Sequence, residues 1–265
     1  MIGKVLTIAG SDSCGGAGIQ ADIKTITMHG CYAMSVITAL TAQNTTGVTA
    51  ISEVSPEFVA AQIDAVFTDI FPDAVKIGMV SDISIIHVIA EKLKQYHPAH
   101  IVADPVMIST SGHKLIHEDA IAALIAELLP LAEIITPNIP ETEALTGMQV
   151  ATVADMKKAA EHLAQKFGTA VLVKGGHLHE KSVDVLYQNQ ESVIFDAERI
   201  NTNNTHGTGC TLSSAIASHL AKGQSLTESV RCAKNYLTGA LKTGFDIGKG
   251  CGSLLHNYQI ITESC

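Results

Sequence analysis

The sequence predicts an α/β fold, a mainly parallel central sheet with helices on both faces and an antiparallel edge. Short β-branched runs alternate with longer amphipathic stretches almost from end to end, and the connections between them are short. Strands joined through helices run parallel, and their helices cover both faces of the sheet. One pair of strand-like runs, Ser182 to Tyr187 and Ser192 to Phe195, is separated only by Gln188-Asn189-Gln190-Glu191, which reads as a hairpin and supplies the antiparallel edge. No internal repeat and no Pro- or Ser-rich linker interrupts the 265 residues, so residues 1–265 read as a single domain with ample chain for a core.

Each element has its own signal. Lys4 to Ala9 reads as a buried strand, and Gly16 to His29 follows as a helix. Val75 to Gly78 is a short strand; Asp82 to Tyr96 then carries Ile85, Ile86, Ile89 and Leu93 at helical spacing. His100 to Asp104 is a strand, Asp119 to Leu129 a helix, and Glu133 to Thr136 a strand halted by Pro137. Val153 to Phe167 is a helix and Ala170 to Lys174 a strand. Two long helices, from about Gly209 to Lys222 and from about Leu226 to Lys242, close the pattern.

Composition narrows the function. The chain holds 17 Lys+Arg against 26 Asp+Glu, a formal net charge of −9, with no basic cluster, which argues against a nucleic-acid binder. Its 46% hydrophobic content and lack of low-complexity tracts exclude disorder. A membrane span needs about 18 or more unbroken apolar residues, whereas the best candidate, Ala120 to Ala132, is cut by Glu127 and Pro130. Val5 to Ala9 is too short for a secretory core of about 7–15 residues. Cys14, Cys31, Cys210, Cys232, Cys251 and Cys265 form no C-x-x-C pair, as expected of reduced thiols in a cytoplasmic protein.

In parallel sheets ligands bind beyond the carboxyl ends of the strands, so residues directly after an apolar run carry the functional reading. Thr205-His206-Gly207-Thr208-Gly209-Cys210 places two glycines around a hydroxyl where a long helix begins. Free N–H groups and the helix dipole make such a start an anion site, and glycine lets a phosphate approach the backbone. Cys210 lies in the first turn, where the same field is expected to lower its thiol pKa. Asp104, between a strand and Pro105, suits Mg²⁺ or a coordinated water, or simply a turn. Glu141 completes Asn138-Ile139-Pro140-Glu141 and suits either a metal site or a first helical turn. Lys174 heads Gly175-Gly176 and suits a polyphosphate or a solvated loop.

Competing motifs fail on detail. Gly16-x-Gly18-x-x-Ala21 has the spacing of a dinucleotide fingerprint, but Val36 to Asn44 lacks the acid that a ribose requires. Neither Gly3-Lys4 nor Gly248-Lys249 has the flanking residues of a P-loop. The pairs His113/His117 and His177/His179 lack a third soft ligand and read as exposed loop histidines.

Taken together, Ala9-Gly10-Ser11-Asp12 with Gly15 to Asp22, Thr41-Ala42-Gln43-Asn44-Thr45, Lys76-Ile77-Gly78-Met79, Asp104-Pro105-Val106-Met107 and Thr205 to Cys210 closely resemble the hydroxymethylpyrimidine and hydroxymethylpyrimidine-phosphate kinases of thiamine biosynthesis. These belong to the ribokinase superfamily, and the resemblance runs from about Lys4 to Lys242; the tail after Gly244 adds nothing to it. It implies a ribokinase-like fold and the use of MgATP to phosphorylate 4-amino-5-hydroxymethyl-2-methylpyrimidine and then its monophosphate. By this resemblance Gly207, Thr208 and Gly209 form the anion hole, and Cys210 is the base where many sugar kinases hold Asp. Asp104 and Glu141 resemble the magnesium residues, and Asp104, Lys174 and Thr208 the ATP contacts. Gly10, Asp22, Gln43, Met79 and Val106 resemble the pyrimidine pocket. Gln43 offers the paired acceptor and donor that an aminopyrimidine edge would engage. The loop from Met107 to His117 is expected to close over the phosphates. The family implies a homodimer, and a vitamin B6 (pyridoxine/pyridoxal) kinase on the same scaffold is the nearest alternative.

Overall fold

The computed structural model describes residues 2–107, 118–176 and 181–263. The strands β1 (Lys4–Asp12), β2 (Tyr32–Asn44), β3 (Gly47–Glu53), β4 (Ala74–Ile77), β5 (Ile101–Ala103), β6 (Ile134–Ile135), β7 (Ala170–Gly175), β8 (Lys181–Gln188) and β9 (Glu191–Glu198) form one sheet in the order β3-β2-β1-β4-β5-β6-β7-β8-β9. From β2 to β7 in that order every pairing is parallel. The expected antiparallel edge is β8–β9. A second one, β3 on β2, closes the opposite side. Sequence reading missed β3 because most of it faces solvent and carries no buried stripe.

The inner strands are apolar on both sides, and successive residues go to different cores. Leu6, Val75, Ile135 and Val171 pack with α2 (Pro56–Phe67), α3 (Ile83–Tyr96) and α6 (Val153–Phe167). Their neighbours Val5, Ala74, Ile134 and Leu172 pack with α1 (Gly18–Met28), α7 (Thr208–Ala221) and α8 (Leu226–Thr243) on the other face. Period-two alternation inside near-continuous apolar runs is what a sheet covered twice requires.

The helix expected over Asp119 to Leu129 is α-helical only as α4 (Glu118–Ala123). It widens to a π turn over Leu124–Leu128 and ends in a 3₁₀ turn over Leu129–Leu131, where Pro130 has no N–H to continue the ladder. Two further helices are α5 (Ile139–Thr146) and α9 (Tyr258–Glu263). The start of helix α2 is legible in the sequence, with Ser55 as cap and Pro56 behind it. Among the described residues no helix is long and apolar enough to cross a membrane. His113, His117, His177, His179, Cys265 and residues 108–117 of the expected closing loop lie outside the described residues.

Candidate active site

A cleft of about 660 Å³ runs along the carboxyl ends of β1, β2, β4, β5, β6 and β7. Its floor is the start of α7. The cap residue Gly207 has φ +84° and offers no side chain to the first N–H groups. A Cβ at Gly207 would lie 1.8 Å from the Gly16 carbonyl oxygen, so only glycine fits there. At Gly209 a Cβ would lie 3.0 Å from Asp104 Oδ2 and 3.4 Å from Lys174 Nζ. The bare backbone of this helix start therefore comes close against a charged pair.

In that pair Asp104 is buried and Lys174 half-buried. Lys174 Nζ donates to Asp104 Oδ1 at 2.7 Å, and Thr136 Oγ1 donates to the same oxygen at 2.9 Å. Beside it, Glu141 is only 4% exposed and belongs to a capping box at the start of α5. Its carboxylate accepts from the Asn138 N–H at 2.8 Å, while Asn138 Oδ1 accepts from the Glu141 N–H at 2.9 Å. Burial, reinforced by the charge of Asp104, pushes the Glu141 carboxyl up to about 7 although Lys174 pulls it down. The helix-start reading of Glu141 holds, and the same residue stands beside Asp104. Two crowded carboxylates, one reluctant to ionise, are an all-oxygen donor set that fits a divalent cation.

Cys210 lines the cleft in the first turn of α7, and here the structure corrects the expected thiol pKa. It is pushed up to about 11. Burial dominates, Asp22 and Asp104 add to it, and Lys76 and the Gly18 N–H only partly offset them. The helix field is not the largest effect at this sulfur.

Asp22 is likewise corrected. It does not reach the cleft wall: its side chain is fully buried, taken up by Lys76 Nζ at 2.9 and 2.8 Å, Ser214 Oγ at 2.7 Å and Thr7 Oγ1 at 2.6 Å. It neutralises a fully buried lysine behind the wall. Gly10, Gln43, Met79 and Val106 do line one end of the cleft. A Cβ at Gly10 would meet Met79 Cε at 2.6 Å. An extra residue in β2 between the Ala9–Ile37 and Ser11–Leu40 pairs re-aims the strand there. Ser13 Oγ clamps the Gln43 backbone at both N–H and carbonyl. The Gln43 amide contacts Thr41 Oγ1 at 3.0 Å and His206 Nε2 at 3.4 Å, and the following turn is held by Asn44 instead.

Two pairs escaped sequence reasoning. Asp12 accepts from the N–H groups of Cys14, Gly16 and Ala17 and from His206 Nε2 at 2.8 Å. Burial alone would raise its pKa, yet these bonds bring it down to about 2. Both residues stood inside quoted motifs, so position was the signal. At the other end of the cleft Lys234 Nζ donates to Asp184 Oδ2 at 2.6 Å, and Gly175 N–H to Asp184 Oδ1 at 3.0 Å. Lys234 lies on the buried face of α8 with Val230, Ala233 and Tyr236, but helical spacing alone does not name its partner, Asp184.

The phosphomethylpyrimidine kinase profile matches residues 12–255. The hydroxymethylpyrimidine/phosphomethylpyrimidine kinase of Rhizobium meliloti is 51% identical over 263 residues, 98% of this chain and 98% of that one. The thiamine biosynthesis bifunctional protein ThiED of Geobacter sulfurreducens is 49% identical over 96% of this chain, which spans 52% of that longer protein. Among solved structures, an ADP complex of Bacillus subtilis pyridoxal kinase superimposes with a TM-score of 0.91 at 36% identity, covering 98% of this chain and all of that one. The profile match and the full-length identity place this chain in the phosphomethylpyrimidine kinase family, a group of ribokinase-like phosphotransferases.

Proposed function

We propose that the chain transfers the γ-phosphoryl group of ATP to the hydroxymethyl group of 4-amino-5-hydroxymethyl-2-methylpyrimidine, and then phosphorylates the monophosphate so formed. The observation that carries this is the approach of Gly209 to Asp104 and Lys174, which sets an uncapped helix start over a buried charge cluster. The hydroxymethyl oxygen attacks the γ-phosphorus, and the bond to the β–γ bridging oxygen breaks. ADP leaves with that electron pair, and the alcohol proton passes to the Cys210 thiolate. The helix start at Gly207, Thr208 and Gly209 holds the group in transit through the N–H groups of Gly209 and Cys210, and Lys174 and Thr208 orient the nucleotide phosphates. Asp104 and Glu141 would hold Mg²⁺, which neutralises phosphate charge when bound. Gln43, Met79, Gly10 and Val106 hold the pyrimidine, while Asp22 acts from behind the wall.

The pyridoxal kinase likeness supports a second reading, phosphorylation of a B6 alcohol. ATP consumption measured with the aminopyrimidine alcohol, its monophosphate and pyridoxal, each offered alone, tests both. Turnover with pyridoxal only would overturn the first reading. Apolar Leu40 and Ile51, both exposed on the β2–β3 edge, support a homodimer, which sedimentation would detect. Free thiols at Cys14, Cys31, Cys210, Cys232 and Cys251 support a cytoplasmic site of action.

A further inference from the structure

Because α7 begins on a glycine with no capping side chain, something outside the helix must fix the direction of its first turn. The segment after α8 does this. His206 N–H donates to the Gly252 carbonyl at 3.1 Å, tying this segment to the residue before the Gly207 turn. Asn204 Nδ2 donates to Asp246 Oδ1 at 3.2 Å, and the N–H groups of Lys249 and Gly250 donate to Thr45 Oγ1. At its end His256 is buried, with its ring Nε2 3.0 Å from Thr211 Oγ1. The same hydroxyl donates to the Gly207 carbonyl at 2.9 Å, beside the helical bond from Thr211 N–H. Tyr236 OH, from α8, donates to the His256 carbonyl and holds the ring's own backbone. His256 does not line the cleft.

We propose that His256 is a positioning residue for phosphoryl transfer, acting through Thr211 on the Gly207 carbonyl to aim the first turn of α7. Gly207 sits in the left-handed region, with the Gly16 carbonyl on one side and Thr211 on the other. The peptide unit after Gly207 is held at its carbonyl by Thr211 and at its N–H by the Thr205 carbonyl at 3.3 Å, so it resists rotation and the N–H groups after it keep one direction. His256 supplies the outer anchor, fixing from the far side a hydroxyl whose χ1 is otherwise held only by its bond to the Gly207 carbonyl. This rests on the reading that the α7 start receives the transferred group.

The experiment compares His256→Ala, His256→Gln and Thr211→Val with the unaltered enzyme at saturating ATP and aminopyrimidine alcohol. A small misalignment of the reacting groups costs on the order of 10- to 100-fold, so kcat should fall by about that factor in His256→Ala. Both KM values should stay within about twofold, since neither residue contacts substrate in the proposed pose. His256→Gln, whose amide nitrogen reaches a similar point, should recover most of the loss. Thr211→Val should match His256→Ala, and the double variant should be no worse than either, as expected of two links in one chain. A soluble His256→Ala enzyme with unaltered kcat would overturn the proposal, as would a loss in which both KM values rise in parallel. Should His256→Ala fail to fold, Thr211→Val alone decides by the same criteria. Gly209→Ala separates the two readings. If it keeps full turnover, the α7 start is not the phosphoryl site; if it is inactive while His256→Ala is normal, only the relay fails.

Discussion

Helices α5 and α7 begin side by side on the same cleft and treat their first N–H groups in opposite ways. The start of α5 is closed on itself, with Asn138 and Glu141 capping each other. The start of α7 is open, with Gly207 offering nothing. Helix α1 is an intermediate case: its cap residue Ala17 has no capping side chain, but Asp12, back in β1, accepts from Gly16 and Ala17 N–H. A closed start fixes a carboxylate in place, and an open one leaves donors for an incoming anion. The cleft uses both, a held charge and a helix start that no side chain caps.

Breaking the open side should have the largest effect. Cys210→Ala should lose about 10²–10⁴-fold in turnover while nucleotide binding survives, and Cys210→Asp should keep more activity than the alanine variant. Because the thiol is pushed up to about 11, the working thiolate is scarce at neutral pH. The kcat/KM of the unaltered enzyme should therefore rise with pH up to that region, about tenfold per unit, and flatten in Cys210→Asp. A flat profile in both, with full turnover in Cys210→Ala, would leave the sulfur no role in proton transfer.

The closed side separates into its two duties by one conservative change. Glu141→Gln keeps a capping amide at the third helical position but removes the charge. Melting temperature should hold while the Mg²⁺ needed for half-maximal rate rises by about tenfold or more, with Asp104→Ala behaving alike. Unchanged magnesium dependence in both variants would reduce the pair to structural residues. At the substrate end, Gln43→Leu should cost on the order of 1–3 kcal/mol of discrimination for the aminopyrimidine alcohol over pyridoxal. Equal losses for both substrates would make Gln43 a loop support.

The intermediate start gives the smallest effect, read in stability. Asp12 is held at about 2, below the 3.8 of a free carboxyl. A depressed carboxyl stabilises the fold above its unfolded value, and that contribution disappears as pH falls through the folded value. Stability should therefore drop by about 2 kcal/mol between about pH 4 and pH 2 beyond the general acid loss. In Asp12→Asn this extra fall should be absent; an identical acid limb in chemical denaturation would refute it.

What was legible in the sequence was whatever local physics alone decides. Val153–Phe167 is found to the residue, because Thr152 caps it and Gly168 stops it in the left-handed region. The strand ends carrying Asp104 and Lys174 follow from apolar runs between short connections. Asp22 was assigned to the right neighbourhood and the wrong side of the wall, since a motif gives proximity but not which way a helix turns its residues. The Cys210 error has the same origin. The helix start is visible in sequence, whereas Asp22, Lys76 and Asp104 gather around the sulfur only in three dimensions. Lys234 and Asp184 are fifty positions apart, so a lysine on the buried face of α8 had no partner legible in the local sequence.

The sheet has two antiparallel margins on a parallel middle, with one end of the cleft hung on β2 and β3 and the other on β8 and β9. Five strands stand between these margins, and the ends of two of them carry Asp104 and Lys174. Divergence thus has two separate places to act. An exchange of alcohol can be confined to the β2–β3 margin, apart from the strand ends that carry Asp104 and Lys174. The Bacillus subtilis pyridoxal kinase keeps this chain's shape almost throughout with barely a third of its residues unchanged. New vitamin kinases need not reinvent the donor side to acquire a new acceptor.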